Sequence, residues 1–199
     1  MDDNDLETWK APENNKRVIC DKLIEAFATS RHVLEIGSGT GQHAVWFANH
    51  LPHLIWQTSD RAENLEFIRQ RLTVEGPQNT RPPLELDVSS YHWPKAKFDA
   101  IFAANCIHIM GWDSVINMFE GIGNILENEG RLALYGPFKY AGEFTTPSNA
   151  DFDLWLKSRD TASGIRDFEA VDELASDIGL QCLVDHAMPA NNQLIVWGK

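Results

Sequence analysis

The sequence predicts an α/β protein with a doubly wound, seven-stranded sheet, mostly parallel, that ends in an antiparallel hairpin. Three observations predict it. Strand-like runs alternate five times with segments of helical spacing, the rhythm of a parallel sheet covered by helices on both faces. The first strand-like run stops at Gly37-Ser38-Gly39-Thr40-Gly41, a sharp turn into the next helix. The last two strand-like runs are joined by a connection too short for a crossover helix, so they must pair antiparallel.

The elements follow in order. Val18, Ile19, Leu23, Ile24 and Phe27 recur at helical spacing and predict a first helix over Arg17–Ala28. His32–Ile36 is β-prone and leads into the glycines, after which Gln42–His50 reads as a helix packing Ala44, Phe47 and Ala48 inward. Leu54–Thr58 is the second strand, ending at Ser59-Asp60, and Asn64–Thr73 the next helix. Pro82 and Pro83 precede a short third strand, Leu84–Leu86, which ends at Asp87. Phe98–Ala104 is almost wholly apolar, as suits a strand buried on both faces. A helix over Ser114–Leu126 and a strand over Arg131–Tyr135 complete the alternation, the strand stopped by Gly136-Pro137. Phe138–Asn149 has no clear period, whereas Ala150–Lys157 and Glu169–Asp177 read as helices. Strands at Gln181–His186 and Leu194–Trp197 form the hairpin around Met188–Asn192.

The chain of 199 residues is 43% hydrophobic and 23% charged, with no linker composition or internal repeat, so a single domain is expected over residues 1–199. A formal charge of −12 repels phosphate backbones, which argues against nucleic acid and for a small-molecule partner. Cys20, Cys106 and Cys182 lie far apart without metal-ligand spacing, so neither a disulfide framework nor a metal is expected. Met1 to Glu7 is acidic and has no apolar core, so no signal peptide is read there, and no apolar run reaches bilayer length. A cytoplasmic monomer or homodimer without membrane attachment is the expectation.

The chemistry begins at the glycine turn. Gly37, Gly39 and Gly41 admit a ligand against bare main chain, and Ser38 sits among them. Gln42 stands where a dinucleotide fingerprint requires Gly or Ala, so a pyrophosphate is poorly provided for. Glu35, just before the turn, would repel a pyrophosphate but attract the ammonium or sulfonium of S-adenosylmethionine. Asp60 ends the second strand about 20 residues past the loop, where a carboxylate accepts ribose hydroxyls. Asp87 ends the third, where it would accept an adenine amino group beside Val88. The three acidic strand ends face one crevice, the ligand edge of an open, Rossmann-like sheet. That sheet with its closing hairpin is the class I methyltransferase topology.

Several segments carry a more specific resemblance: Val33–Phe47, Pro52–Asp60, Arg81–Ser89, Tyr135–Phe138, Pro147-Ser148-Asn149 and Met188–Leu194. With Glu13–Lys16 and Gly164-Ile165-Arg166-Asp167 they resemble a methyltransferase family called methyltransferase-like twenty-six in animals and a domain of unknown function in bacteria. The resemblance implies the class I fold and S-adenosylmethionine binding, with S-adenosylhomocysteine as product, and it implies no particular acceptor. Thr58 departs from it, standing where many members have proline.

Methyl transfer is a direct displacement that needs alignment, exclusion of water and, for a protonated nucleophile, a base. Asn105, past the fourth strand, is expected to touch cofactor or substrate, and His108 is the candidate general base. His108 is read alternatively as a hydrogen-bonding loop residue. Asn15 and Arg17, beside the first helix, are read as closing over the cofactor. Tyr135, Phe138 and Tyr140 are candidates for an acceptor pocket, completed by Trp155 and Arg159. Arg166-Asp167 is read first as a salt-linked helix start and only second as a substrate clamp. A SAM-binding interaction module without catalysis, or a nicotinamide-dependent oxidoreductase, are the alternative readings.

Overall fold

An apolar strand can be buried on both faces only if helices cover both sides of its sheet, and the chain solves this with helices on either side of a central strand. A computed structural model describes residues 6–90 and 92–199; the acidic start at Met1 to Asp5, part of the expected single domain, lies outside them. The main elements are α1 (Lys10–Ala26), β1 (His32–Ile36), α2 (Gln42–His50), β2 (Ile55–Asp60), α3 (Leu65–Glu75), β3 (Thr80–Glu85), β4 (Phe98–Ala104), α4 (Trp112–Ile125) and β5 (Leu126–Gly136). They continue with β6 (Phe138–Tyr140), β7 (Glu143–Phe144), α5 (Pro147–Arg159), β8 (Arg166–Asp167), α6 (Phe168–Asp177), β9 (Gln181–Met188) and β10 (Asn192–Gly198).

The large sheet has the order β3-β2-β1-β4-β5-β10-β9. Strands β1 to β5 run parallel, and β10 pairs antiparallel with both β5 and β9, as the short connection requires. Chain direction across the sheet reverses between β1 and β4, which makes their C-terminal ends the topological switch point. One core lies under α1 and α2 and includes Leu23, Phe27, Phe47, Trp56 and Phe102. The other lies under α4 and α6 and includes Ile101, Phe119, Leu132, Val171 and Trp197. The Trp197 indole donates to Asp172 of α6 at 2.8 Å, so its polar atom is satisfied inside the packing.

Three boundaries differ from the sequence reading, each for a local reason. Helix α1 starts at Lys10 rather than Arg17. Its first turns carry no apolar stripe because polar contacts hold them: Asn15 Oδ1 meets His43 Nε2 at 2.7 Å, and Glu13 accepts from Gln42 at 2.8 Å. Strand β3 begins at Thr80 and runs through Pro82 and Pro83, which an edge strand tolerates because only one side pairs. Strand β5 begins at Leu126, where it already pairs with Phe98, and crosses a left-handed Glu129.

The stretch from Phe138 to Asn149 is ordered as well. Ala141 and Gly142, at φ 50° and 80°, make the two-residue turn between β6 and β7. Thr146 then caps α5 by accepting from the Asn149 N–H, with Pro147 at the first helical position. Strand β8 pairs parallel with β6, making a second, three-stranded sheet.

Phe102 of the central strand β4 is fully buried against Phe47, Trp56 and His43. Phe102→Ala is expected to lower unfolding stability by about 3–5 kcal/mol. Urea denaturation checks this, and a loss under about 1 kcal/mol would mean that the site collapses around the change.

Candidate functional site

The turn after β1 is built from the strand beside it. The Ser59 carbonyl of β2 accepts from the N–H groups of Gly37 and Ser38 at 3.0 and 2.9 Å. Ser59 Oγ donates to the Glu35 carbonyl, and Ser38 Oγ accepts from the Ser59 N–H. Gly37, Gly39 and Gly41 all have left-handed φ, at 73°, 57° and 77°. At Gly37 space is limiting too: an added Cβ would lie 2.6 Å from the Cys106 sulfur. The Gly41 N–H donates to the Ser38 carbonyl at 2.8 Å, and the Gly39 N–H donates to Asp60 Oδ2 at 2.7 Å. Four amides of this loop are therefore committed inside the protein.

The carboxylates differ in state. Glu35 is 1% exposed and its Oε2 accepts from Ser38 Oγ at 2.9 Å and Trp56 Nε1 at 3.0 Å. Burial pushes its pKa up to about 7 against those two bonds, with Asp60 adding to the rise. Asp60, at the end of β2, is buried and accepts from Gly39, from the Arg61 N–H at 2.8 Å and from Asn64 at 2.9 Å. Asp87 follows β3, is exposed, and accepts from the Ser89 N–H, while Val88 beside it is buried in the α4-side core. All three sit at C-terminal ends of neighbouring strands around the switch point, as the sequence led us to expect.

The end of β4 supplies the next group. Asn105 is left-handed at φ 57°, a conformation that asparagine tolerates, and its N–H donates to the Tyr135 carbonyl at 2.8 Å. Cys106 donates to the Ile36 and Ala104 carbonyls, and burial pushes its thiol up to about 12, first through desolvation and then through Asp60 and Glu35. His108 is 3% exposed, and its Nδ1 is buried with no hydrogen-bond partner. Its ring packs edge-on to Phe152 of α5, and an added Cβ at Gly136 would lie 3.2 Å from Nδ1. Burial, then Arg166, lowers its pKa to about 4, so the imidazole is neutral at physiological pH.

The loop that carries His108 is fixed by Arg166. That guanidinium donates to the Ile107 carbonyl at 3.0 Å, to Met110 and to Ala162, and lies over the Trp112 ring. Its contacts are thus with backbone carbonyls of the chain, and Asp167 pairs with Lys139 at 3.1 Å.

The remaining candidates divide. Asn15 is buried and bonded to His43, Asn192 donates to the Pro189 and Ala190 carbonyls, and burial raises the pKa of the Tyr135 hydroxyl. Phe138 is a core residue at 1% exposure, packed in the α4-side cluster because β6 turns it under the sheet rather than into a cleft. Tyr140 stacks on Phe168 and donates to Asp185 of β9 at 2.6 Å, so its hydroxyl is engaged at the sheet's far edge. Arg17 is exposed, with its guanidinium over the Trp46 ring of α2 rather than at the glycine turn. Trp155 stacks on Phe152 and carries the Arg159 guanidinium over its ring, so these two continue an aromatic row that starts at His108.

Sequence reasoning missed the segment before α1. The Trp9 N–H donates to Gln42 Oε1 at 2.7 Å, and Gln42 Nε2 returns a bond to the Trp9 carbonyl at 3.2 Å. Buried Arg71 of α3 donates to the Thr40 carbonyl at 2.7 Å, to the Glu7 carbonyl at 2.7 Å and to Thr8 Oγ1 at 3.1 Å. No periodicity signals such contacts; a polar Gln42 where a dinucleotide fingerprint would place Gly or Ala was the available hint.

Residues 7–199 match the model of the family described as protein of unknown function (DUF938). Among solved structures, an O-methyltransferase family protein from Burkholderia thailandensis is similar with TM-score 0.83 at 15% identity, over 95% of this chain and 57% of that one. Human N-acetylserotonin methyltransferase in complex with SAM is similar with TM-score 0.80 at 15% identity, over 96% of this chain and 53% of that one. PigF with SAH is similar with TM-score 0.74 at 19% identity, over 87% of this chain and 52% of that one. The chain thus spans little more than half the length of these structures, and the likeness is one of fold. No helix among the described residues is long and apolar enough to cross a membrane.

Both buried histidines are expected to stay neutral well below pH 6. Burial lowers His43 to about 3 and His108 to about 4, against about 6.5 for an unfolded histidine. Their contribution to stability is full above about pH 6.5 and is lost as pH falls through the folded values, because the unfolded chain binds the extra protons. Ring resonances followed by NMR from pH 8 to 4 test this, and a His108 midpoint above 6 would contradict it.

Proposed function

The chain belongs to the family described as protein of unknown function (DUF938), and from that premise we propose that it is an S-adenosylmethionine-dependent methyltransferase acting on a small-molecule acceptor. The observation that carries this reading is the state of the glycine turn. Its amides at Gly37, Ser38, Gly39 and Gly41 are bonded within the protein, so they form no phosphate cradle. Around it stand Glu35, Asp60 and Asp87, acceptors for a ligand that brings positive charge and hydroxyl or amino donors. A nucleoside joined to an amino acid and a sulfonium has those groups, and a dinucleotide has a pyrophosphate instead. The SAM and SAH in two of the similar structures support the same ligand. The finer resemblance, to methyltransferase-like twenty-six, is part of this proposal.

S-adenosylmethionine supplies an electrophilic methyl group on a sulfonium centre. Glu35 would answer the ammonium charge, Asp60 the ribose hydroxyls, and Asp87 the adenine amino group with Val88 against the ring. Asn105, left-handed just past the end of β4, would orient the acceptor or the cofactor. His108 would take a proton from the acceptor at Nδ1; its lowered pKa makes it a weak base, sufficient for a nucleophile that becomes acidic as it is methylated. Tyr135 and the aromatic row from Phe152 to Trp155 would line the acceptor side. The overall charge of −12 fits a neutral or cationic small acceptor.

Calorimetric titration with S-adenosylmethionine, S-adenosylhomocysteine and NADH tests the reading. Binding of the first two with Kd in roughly the micromolar range is expected, with none for NADH. Failure of both adenosyl ligands to bind a folded sample would discard it. Because the Glu35 pKa lies at about 7 and the ligand favours the ionised form, S-adenosylhomocysteine affinity is expected to rise between pH 6 and 8, with proton release below pH 7. Glu35→Gln is expected to bind more weakly and without this slope. A slope that persists in Glu35→Gln would assign the titration to another group.

A further inference from the structure

Trp9 combines two properties that a purely structural tryptophan lacks. Its six-membered ring lies on Gly39, so that an added Cβ there would come within 2.6 Å of Cζ3 and 3.1 Å of Cε3. Yet the residue is 42% exposed. Burial of the ring is therefore not what holds the segment in place. Backbone and polar bonds hold it instead: two with Gln42 through the Trp9 main chain, and three donors' worth of contact from α3, where Arg71 reaches Glu7, Thr8 and Thr40. Arg71 binds the segment and the glycine turn at once, so the two keep a fixed relation.

The ring's position gives the exposed surface a direction. Gly39 is the residue whose N–H holds the Asp60 carboxylate at 2.7 Å. Ring, bare glycine backbone and carboxylate thus meet at one corner of the switch point. A carboxylate beside a flat, electron-rich surface suits a ribose with its attached base: the hydroxyls donate to the acid and the base or sugar face packs on the indole. Phosphate does not suit it, since the nearby guanidinium of Arg71 already serves carbonyls, a hydroxyl and Glu75.

We propose that Glu7–Trp9 is a strap that completes the nucleoside subsite, with the Trp9 indole as its outer wall. The proposal rests on the S-adenosyl reading of the site and adds to it a binding residue outside the sheet edge. A wall of this kind acts mainly on escape: the ligand leaves only past the ring, so its loss raises the dissociation rate more than it lowers association.

The experiment uses the full chain and three proteins: unchanged, Trp9→Ala and Trp9→Phe. S-adenosylhomocysteine and adenosine are titrated by calorimetry, dissociation is followed by stopped flow, and tryptophan fluorescence is recorded with and without ligand. Trp9→Ala is expected to weaken both ligands about tenfold or more, chiefly through faster dissociation. Trp9→Phe should retain affinity within about threefold, the flat face being kept, while losing the ligand-induced fluorescence change seen in the unchanged chain. Equal or tighter binding by Trp9→Ala would overturn the proposal and leave the cofactor reading standing. No binding of either ligand to the unchanged chain would overturn both. Should Trp9→Ala fail to fold, the fluorescence comparison with Trp9→Phe decides: a ligand-induced change of equal size in both proteins would overturn the strap.

Discussion

The structure depends on the way β2 holds the turn that leaves β1. A chain emerging from a parallel strand must reverse over its neighbour to enter the covering helix, and here the reversal takes three left-handed glycines. Such a turn has little to hold it by itself, because glycine gains nothing from side-chain packing. Ser59 and Asp60 supply what is missing, accepting from three successive amides of the loop while Ser59 Oγ bonds back to β1. The Asp60 carboxylate is therefore a structural member of the loop. The start of α2, the contact with Cys106 at the end of β4 and the approach of Arg71 from α3 all take their positions from it.

The electrostatics follow from where the loop sits. Glu35 is placed under the turn by the alternation of β1, with only Ser38 and Trp56 to solvate it, and its proton affinity rises accordingly. The same burial acts in the opposite sense on His43 and His108, which lose theirs. Near neutral pH the switch point thus pairs neutral imidazoles with a carboxyl close to its own titration. An approaching cation tips the balance toward the ionised form.

Much of this was legible in the sequence, and the parts that were not share a cause. The glycine turn, the acidic ends of the first three strands, the apolar β4 and the closing hairpin all leave marks of period or punctuation. The first turns of α1, held by Asn15, Glu13 and Gln42, leave none, since polar residues joined to each other read as surface. The second sheet escaped notice because β7 and β8 are two residues each, too short for alternation to register. Phe138 and Tyr140 were expected to line a pocket because the segment after β5 is long for a connection and shows no clear period; one is turned into the core and the other bonded to Asp185. Arg166 read as a salt-linked helix start, whereas its partners are carbonyls around His108, which no residue pattern announces.

The place of β10 has a consequence for how the molecule is assembled. Strand β9 joins the large sheet through β10 alone, although β10 comes later in the chain. While the polypeptide is being made, β9 therefore has nothing to pair with, and β5 presents an open edge with Ala133, Leu134 and Tyr135 along it. Both β5 and β9 gain this partner only once β10 has been made. Any chain interrupted before Asn192 would keep that edge bare, and a bare apolar edge is a template for other chains. Premature termination in this protein is thus expected to produce aggregation rather than a smaller soluble sheet.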